Sequence, residues 1–131
     1  NNIMAFKLGS ERRNIKSSKD VSFNRKLVRK NSDMDPGVMA QANNDGSIDI
    51  DPSIDIDSAQ GQRTMKHELK HKEQMESGRA AYGDNWVMWE DKIYIRKEEN
   101  GQRVIDGPSG KWPEGHPNHP WEAEAMEAED Q

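Results

Sequence analysis

The sequence predicts a small mixed α+β domain. Three stretches carry that expectation: an alternation of period two at Ile48–Asp51, a helical stretch bounded by Ser58 and Gly78, and an Ala- and Glu-rich segment closing the chain. At 131 residues, 31% hydrophobic and 33% charged, the chain has one domain's worth of material and a modest core. A bound metal or a partner would help to hold such a core together. There are no cysteines, which excludes disulfides and thiolate sites, so any metal must be held by His, Asp or Glu. No apolar run is long enough for a membrane span or a signal-peptide core, so neither a membrane-spanning protein nor a signal peptide is expected. Met4-Ala5-Phe6 resembles a natural start, leaving Asn1, Asn2 and Ile3 as vector sequence or a processed remnant.

Charge is divided unevenly. Residues 1–31 hold nine Lys/Arg against two Asp/Glu, a balance of +7, which leaves −12 for the remainder of a chain of net charge −5. Residues 1–44 are therefore read as a basic N-terminal arm or extension and residues 45–131 as the folded domain. The arm suits an acidic partner surface, or folds back onto the acidic body. Without interleaved aromatics or a recognised motif, nucleic acid is not the expected partner.

Taken in order, "VSFNRKLVRK" (21–30) fits either a short helix with Leu27 and Val28 inward or an extended segment. Asp33 to Gly37 form a turn, since Pro36-Gly37 cannot continue a helix. Ile48 and Ile50 alternate with Asp49 and Asp51 as in a strand with one buried face, and Pro52 ends it or places it at a sheet edge. The aspartates lack the closing glutamate of a calcium loop. Ser58 is a helix N-cap, the helix runs from Ala59 to Ser77, and Gly78 stops it. Gly61 weakens its first turn, and Met65, Leu69 and Met75 make a thin apolar face. Val87, Trp89, Ile93 and Ile95 fit strands, and Asn100-Gly101 signals a hairpin. Residues 106–120 read as a long Pro/Gly loop, and residues 121–130 as the closing helix. The four tryptophans, Trp86, Trp89, Trp112 and Trp121, are assigned chiefly to the core.

The chemistry sits in "TMKHELKH". His67 and His71, four apart on a helix, stack one turn apart on one face, where both imidazoles reach a single ion. Glu68 leans over the same face. A catalytic zinc takes three protein ligands and an open position for water. The water then becomes the nucleophile and Glu68 takes its proton as general base. Glu122, at the start of the last helix, is the candidate third ligand. Ala125, one turn on, would let the two helices approach closely. Glu124 is an alternative, and His116 and His119 lie near enough in sequence to coordinate.

"SIDID … TMKHELKH … HPWEAEAM" resembles the zinc metallopeptidases that pair H-E-x-x-H with a glutamate on a later helix, and is similar to peptidases encoded by tailed bacteriophages. The resemblance spans residues 45–128. It implies His67, His71 and Glu122 as the ligands of Zn2+, Glu68 as the general base, and Ile48–Asp51 as the edge strand along which a peptide substrate pairs. Lys70 and Lys72 stand where such proteins usually carry uncharged residues. Tyr82, Tyr94 and His119 are candidate oxyanion donors. Two functions follow as expectations: a metallopeptidase acting on a protein or cell-wall peptide, or a phage virion structural or assembly protein on the same scaffold, engaging a larger assembly through the basic arm. Either is expected in the host cytoplasm or the virion.

Overall fold

The computed structural model describes residues 3–5, 14–15 and 21–131 of the chain. Among them are three N-terminal strands, β1 (Ile3–Ala5), β2 (Asn14–Ile15) and β3 (Val21–Ser22), then a 3-10 turn at Arg25–Leu27 and β4 (Val28–Lys30). Next come β5 (Val38–Ala42), β6 (Ile48–Ile50) and the first helix, α1 (Ala59–Glu76). An antiparallel meander follows: β7 (Ala80–Tyr82), β8 (Trp86–Trp89), β9 (Lys92–Glu99), β10 (Gln102–Gly107) and β11 (Gly110–Pro113). The second helix, α2 (Pro120–Ala128), closes the fold. One sheet is ordered β1-β5-β6-β4, the meander forms a second ordered β11 to β7, and β2 pairs with β3. No helix is long and apolar enough to cross a membrane among the described residues.

The helix boundaries follow from local chemistry. The Ser58 hydroxyl accepts the Gly61 N–H at 3.0 Å, and Gly78, at φ +81°, provides the left-handed stop after Ser77. Gly61 is more than a weak helix former. A Cβ there would overlap the Asp55 carbonyl and the Ile56 Cα, so the 55–56 segment crosses α1 only because residue 61 has no side chain.

The thin apolar face of α1 is explained by its position between two cores. Met65 and Leu69 pack with Ala42 and Ile48 on the four-stranded sheet. Met75 packs instead on Val87, Trp89, Tyr94, Ile105 and Trp121, the core of the meander. A face shared between two partners leaves no single wide stripe in the sequence.

Several expectations are corrected. The Ile48–Asp51 stretch is not a sheet edge: β6 lies between β5 and β4, and Ile48, Asp49 and Ile50 are all buried. The outward aspartate is covered because Arg29 (3.1 Å), Asn31 (3.2 Å) and Gln41 (3.2 Å) from the neighbouring strands donate to it. The 106–120 loop contains β11, which pairs with β10 from Val104↔Pro113 to Gly107↔Gly110. Trp89 and Trp121 are core residues, whereas Trp86 is 39% exposed. The expected arm–domain boundary at 44/45 falls within the turn joining β5 and β6, and β4 also pairs with β6. Within the arm, Arg25 reaches Asp57 at 2.8 Å and Arg29 reaches Asp49, so these two cations lie against the acidic body. Arm residues 1–2, 6–13 and 16–20 lie outside the described residues.

Candidate metal centre

α1 and α2 pack against each other, and Ala125 of α2 is fully buried. His119 caps α2, and Pro120 occupies its first turn, where a missing N–H costs nothing. This places Glu122 in the first turn, facing α1. The Glu122 Oε1 lies 3.0 Å from His67 Nε2 and 3.2 Å from His71 Nε2. The two imidazole rings are 4.9 Å apart and nearly perpendicular. One donor atom from each of His67, His71 and Glu122 falls within 4.8 Å of the others, and all three residues are fully buried. Among the described residues, no other group of three His, Asp or Glu side chains converges in this way.

The far nitrogens are also held. His67 Nδ1 lies 2.7 Å from Glu129 Oε2, and His71 Nδ1 lies 3.0 Å from Gln74 Oε1. A carboxylate or amide oxygen behind a histidine fixes the ring and leaves its other nitrogen to face a metal. The sequence reading missed both residues. The signal was available: Glu129 stands seven residues after Glu122 and Gln74 three after His71, spacings that share a helix face.

Glu68 is fully buried, and neither carboxylate oxygen has a partner at full hydrogen-bond geometry, though the Ala42 backbone N–H is near enough to favour its charged form. Burial pushes its pKa up to about 7, although His67 and His71 pull it down. For His67, burial disfavours the charge, but the contacts with Glu122 and Glu129 and the nearby Glu68 outweigh it and raise the pKa to about 10. For Glu122, burial acts upward, but His71 and His67 together bring it down to about 2. The second oxygen of Glu122 is buried without a partner as well. Three unpartnered carboxylate oxygens beside two oriented imidazoles fit a divalent cation, which would satisfy what the protein leaves open.

The other sequence candidates are placed elsewhere. Glu124 turns away, taking Arg79 at 3.0 and 2.7 Å and Gln74 at 3.0 Å. His116 stacks on Trp112 and is not part of the convergent set. Tyr94 bonds Ser109 at 2.9 Å within the meander. His119 faces the Trp112 and Pro113 carbonyls with Nε2, at 3.2 and 3.1 Å, and carbonyls only accept, so Nε2 carries the hydrogen. That hydrogen is committed, so His119 has none to give an oxyanion. Lys70 pairs with Glu73 at 2.8 Å, and buried Lys72 donates to the Gly46 carbonyl at 2.8 Å, tying α1 to the β5–β6 turn. Both ammonium groups are thus engaged away from the histidines.

Fold and site together define a small α+β domain with a buried two-histidine, one-carboxylate cluster suited to a metal ion. Comparisons of the chain with protein-family models, curated proteins and solved structures find no match.

Proposed function

We propose that the chain is a zinc-dependent metallopeptidase acting on a protein or cell-wall peptide, with His67, His71 and Glu122 as ligands and Glu68 as general base. The observation that carries this reading is the bare carboxylate of Glu68 beside the convergent cluster. A metal ion used only for structure gains nothing from a buried, unpartnered acid at its side, whereas a hydrolytic site needs a proton acceptor with a pKa near the working pH. The pKa of Glu68, about 7, meets that requirement. An ion held by the cluster would polarise a substrate carbonyl and acidify water. Glu68 would take the proton released and pass it to the departing amine. Glu129 and Gln74 would hold the two imidazoles still while this occurs.

The test is elemental analysis of the purified protein followed by hydrolysis assays on unfolded protein and on cell-wall peptide. One zinc per chain, with turnover abolished in Glu68→Gln while zinc is retained, is the expected result. Metal-loaded wild type with no turnover on either substrate would refute the enzymatic reading.

A second reading is a virion structural or assembly protein of a phage on the same scaffold, associated through its basic arm. The complete burial of His67, Glu68, His71 and Glu122 favours it, because a closed site suits stabilisation better than substrate entry. Co-sedimentation with phage particles, without hydrolysis, would support this reading over the first.

A further inference from the structure

The hydrogen bonds behind His71 continue beyond Gln74. The Gln74 Nε2 donates to the Trp121 carbonyl at 3.1 Å and to Glu124 Oε1 at 3.0 Å. Glu124 is in turn clamped by the Arg79 guanidinium through both carboxylate oxygens. Arg79 lies over the Trp89 ring at 4.7 Å and also pairs with Glu90 at 3.2 Å. These contacts fix which way the Gln74 amide points. A flipped amide would set its oxygen against a carbonyl and a carboxylate, two groups that only accept, and would leave its NH2 facing His71.

We propose that Gln74, locked by Glu124 and Arg79, is a positioning residue that holds a hydrogen on His71 Nδ1 and so presents His71 Nε2 to the metal. The inference rests on the reading of the cluster as a metal centre and extends it to residues that touch no ligand atom. Without the lock, only the Trp121 carbonyl opposes a flip of the amide; a flipped amide would turn its NH2 to Nδ1 and drive the ring to the Nε2–H tautomer, which cannot bind an ion at the Glu122 side. Arg79 lies outside the cluster, on the segment between α1 and β7, yet through two contacts it bears on which nitrogen of His71 meets the Gln74 oxygen and which faces Glu122.

The experiment compares wild type, Gln74→Leu, Arg79→Met and the exchange Gln74→Glu with Glu124→Gln. Zinc affinity is read by competition with a chromophoric chelator, and the His71 tautomer by nitrogen-15 NMR at pH 8, with and without zinc. Gln74→Leu is expected to weaken zinc binding by about 10- to 100-fold, the range for loss of a group behind a ligand. Arg79→Met is expected to weaken it by a smaller factor and to lower the population of the Nδ1–H form. The double exchange keeps an acceptor behind His71 and a donor facing residue 74, but sets the second Glu oxygen against the Trp121 carbonyl, and is expected to recover only part of the affinity lost in Gln74→Leu. Zinc binding unchanged in Gln74→Leu, or zinc on His71 Nδ1 in wild type, would overturn the inference. If wild type binds no zinc, the metal reading fails, and the tautomer decides the rest. Loss of the Nδ1 hydrogen in metal-free Gln74→Leu upholds the positioning role, and its retention removes it.

Discussion

Loading the cluster with zinc should expel a proton even in mildly alkaline solution. His67 lies between Glu122 at 3.0 Å and Glu129 at 2.7 Å, an acceptor at each nitrogen, so in the metal-free protein it is a doubly protonated imidazolium. An ordinary imidazole of pKa about 6.5 is only about 3% protonated at pH 8. His67, with its pKa near 10, is about 99% protonated there. A metal on Nε2 must displace that proton, so close to one proton should leave His67 per zinc bound at pH 8, and affinity should climb about tenfold per pH unit between pH 7 and 9. Calorimetry in buffers of differing ionisation enthalpy counts the protons released. Glu129→Gln, which removes one of the two carboxylates, should lower the count. Near-zero release in wild type, or an affinity flat across that range, would refute the assignment of His67 as a cation held between two acids.

Other outcomes follow from the same geometry. In denaturant melts of metal-free protein, His67 and Glu122 together contribute most between about pH 4.5 and 6.5: the raised pKa of His67 contributes fully below its unfolded value and is lost as pH rises toward 10, and the lowered pKa of Glu122 contributes above its unfolded value and is lost as pH falls toward 2; the raised pKa of Glu68 opposes folding as pH climbs from about 4.5 toward 7, so stability should peak near the acid end of that window. Glu68→Gln should stabilise the metal-free protein at pH 8 by about 1–3 kcal/mol in urea melts, because burial raises the Glu68 pKa and ionising that carboxyl opposes folding. Zinc at a hundred times its dissociation constant should stabilise wild type by about 2.7 kcal/mol, and Glu122→Ala should abolish that gain in a thermal-shift titration. Gly61→Ala tests the close crossing of residues 55–56. Helix propensity alone favours alanine by about 1 kcal/mol, but overlap with backbone should cost about 1–3 kcal/mol or more. A net gain in stability for that variant would show that the 55–56 segment yields freely.

The parts of the fold legible in the sequence were those governed by local rules. Ser58 and Gly78 bounded α1 because capping and left-handed stops depend on neighbours in the chain. Asn100-Gly101 marked the β9–β10 hairpin because both residues adopt positive φ, 53° and 77°. His67 and His71 were legible as a pair because a helix fixes the relation of residues four apart. What failed depended on tertiary partners. Asp49 reads as an outward residue of an edge strand until Arg29, Asn31 and Gln41 are brought around it. The strand at Gly110–Pro113 was hidden by glycine and proline content, because pairing with β10 overrides a weak intrinsic preference. Glu129 shares a helix face with Glu122, a signal the spacing carries, but only the packing of α2 on α1 shows that it backs His67.

Glu129 is the C-cap of α2, beyond the last full turn, and besides its contact with His67 it is tied to α1 by Arg63 at 3.3 Å, which also reaches Asp130 at 2.9 Å, while Lys66 donates to the Gln131 carbonyl at 2.5 Å. Helix ends fray more readily than helix middles, with little free energy separating open from closed. The group that steadies His67 therefore sits on the end turn of its helix. How long an ion resides in the cluster should thus track the opening of this end turn, and Arg63→Ala, which removes its ties to Glu129 and Asp130, should shorten that residence without touching a single ligand.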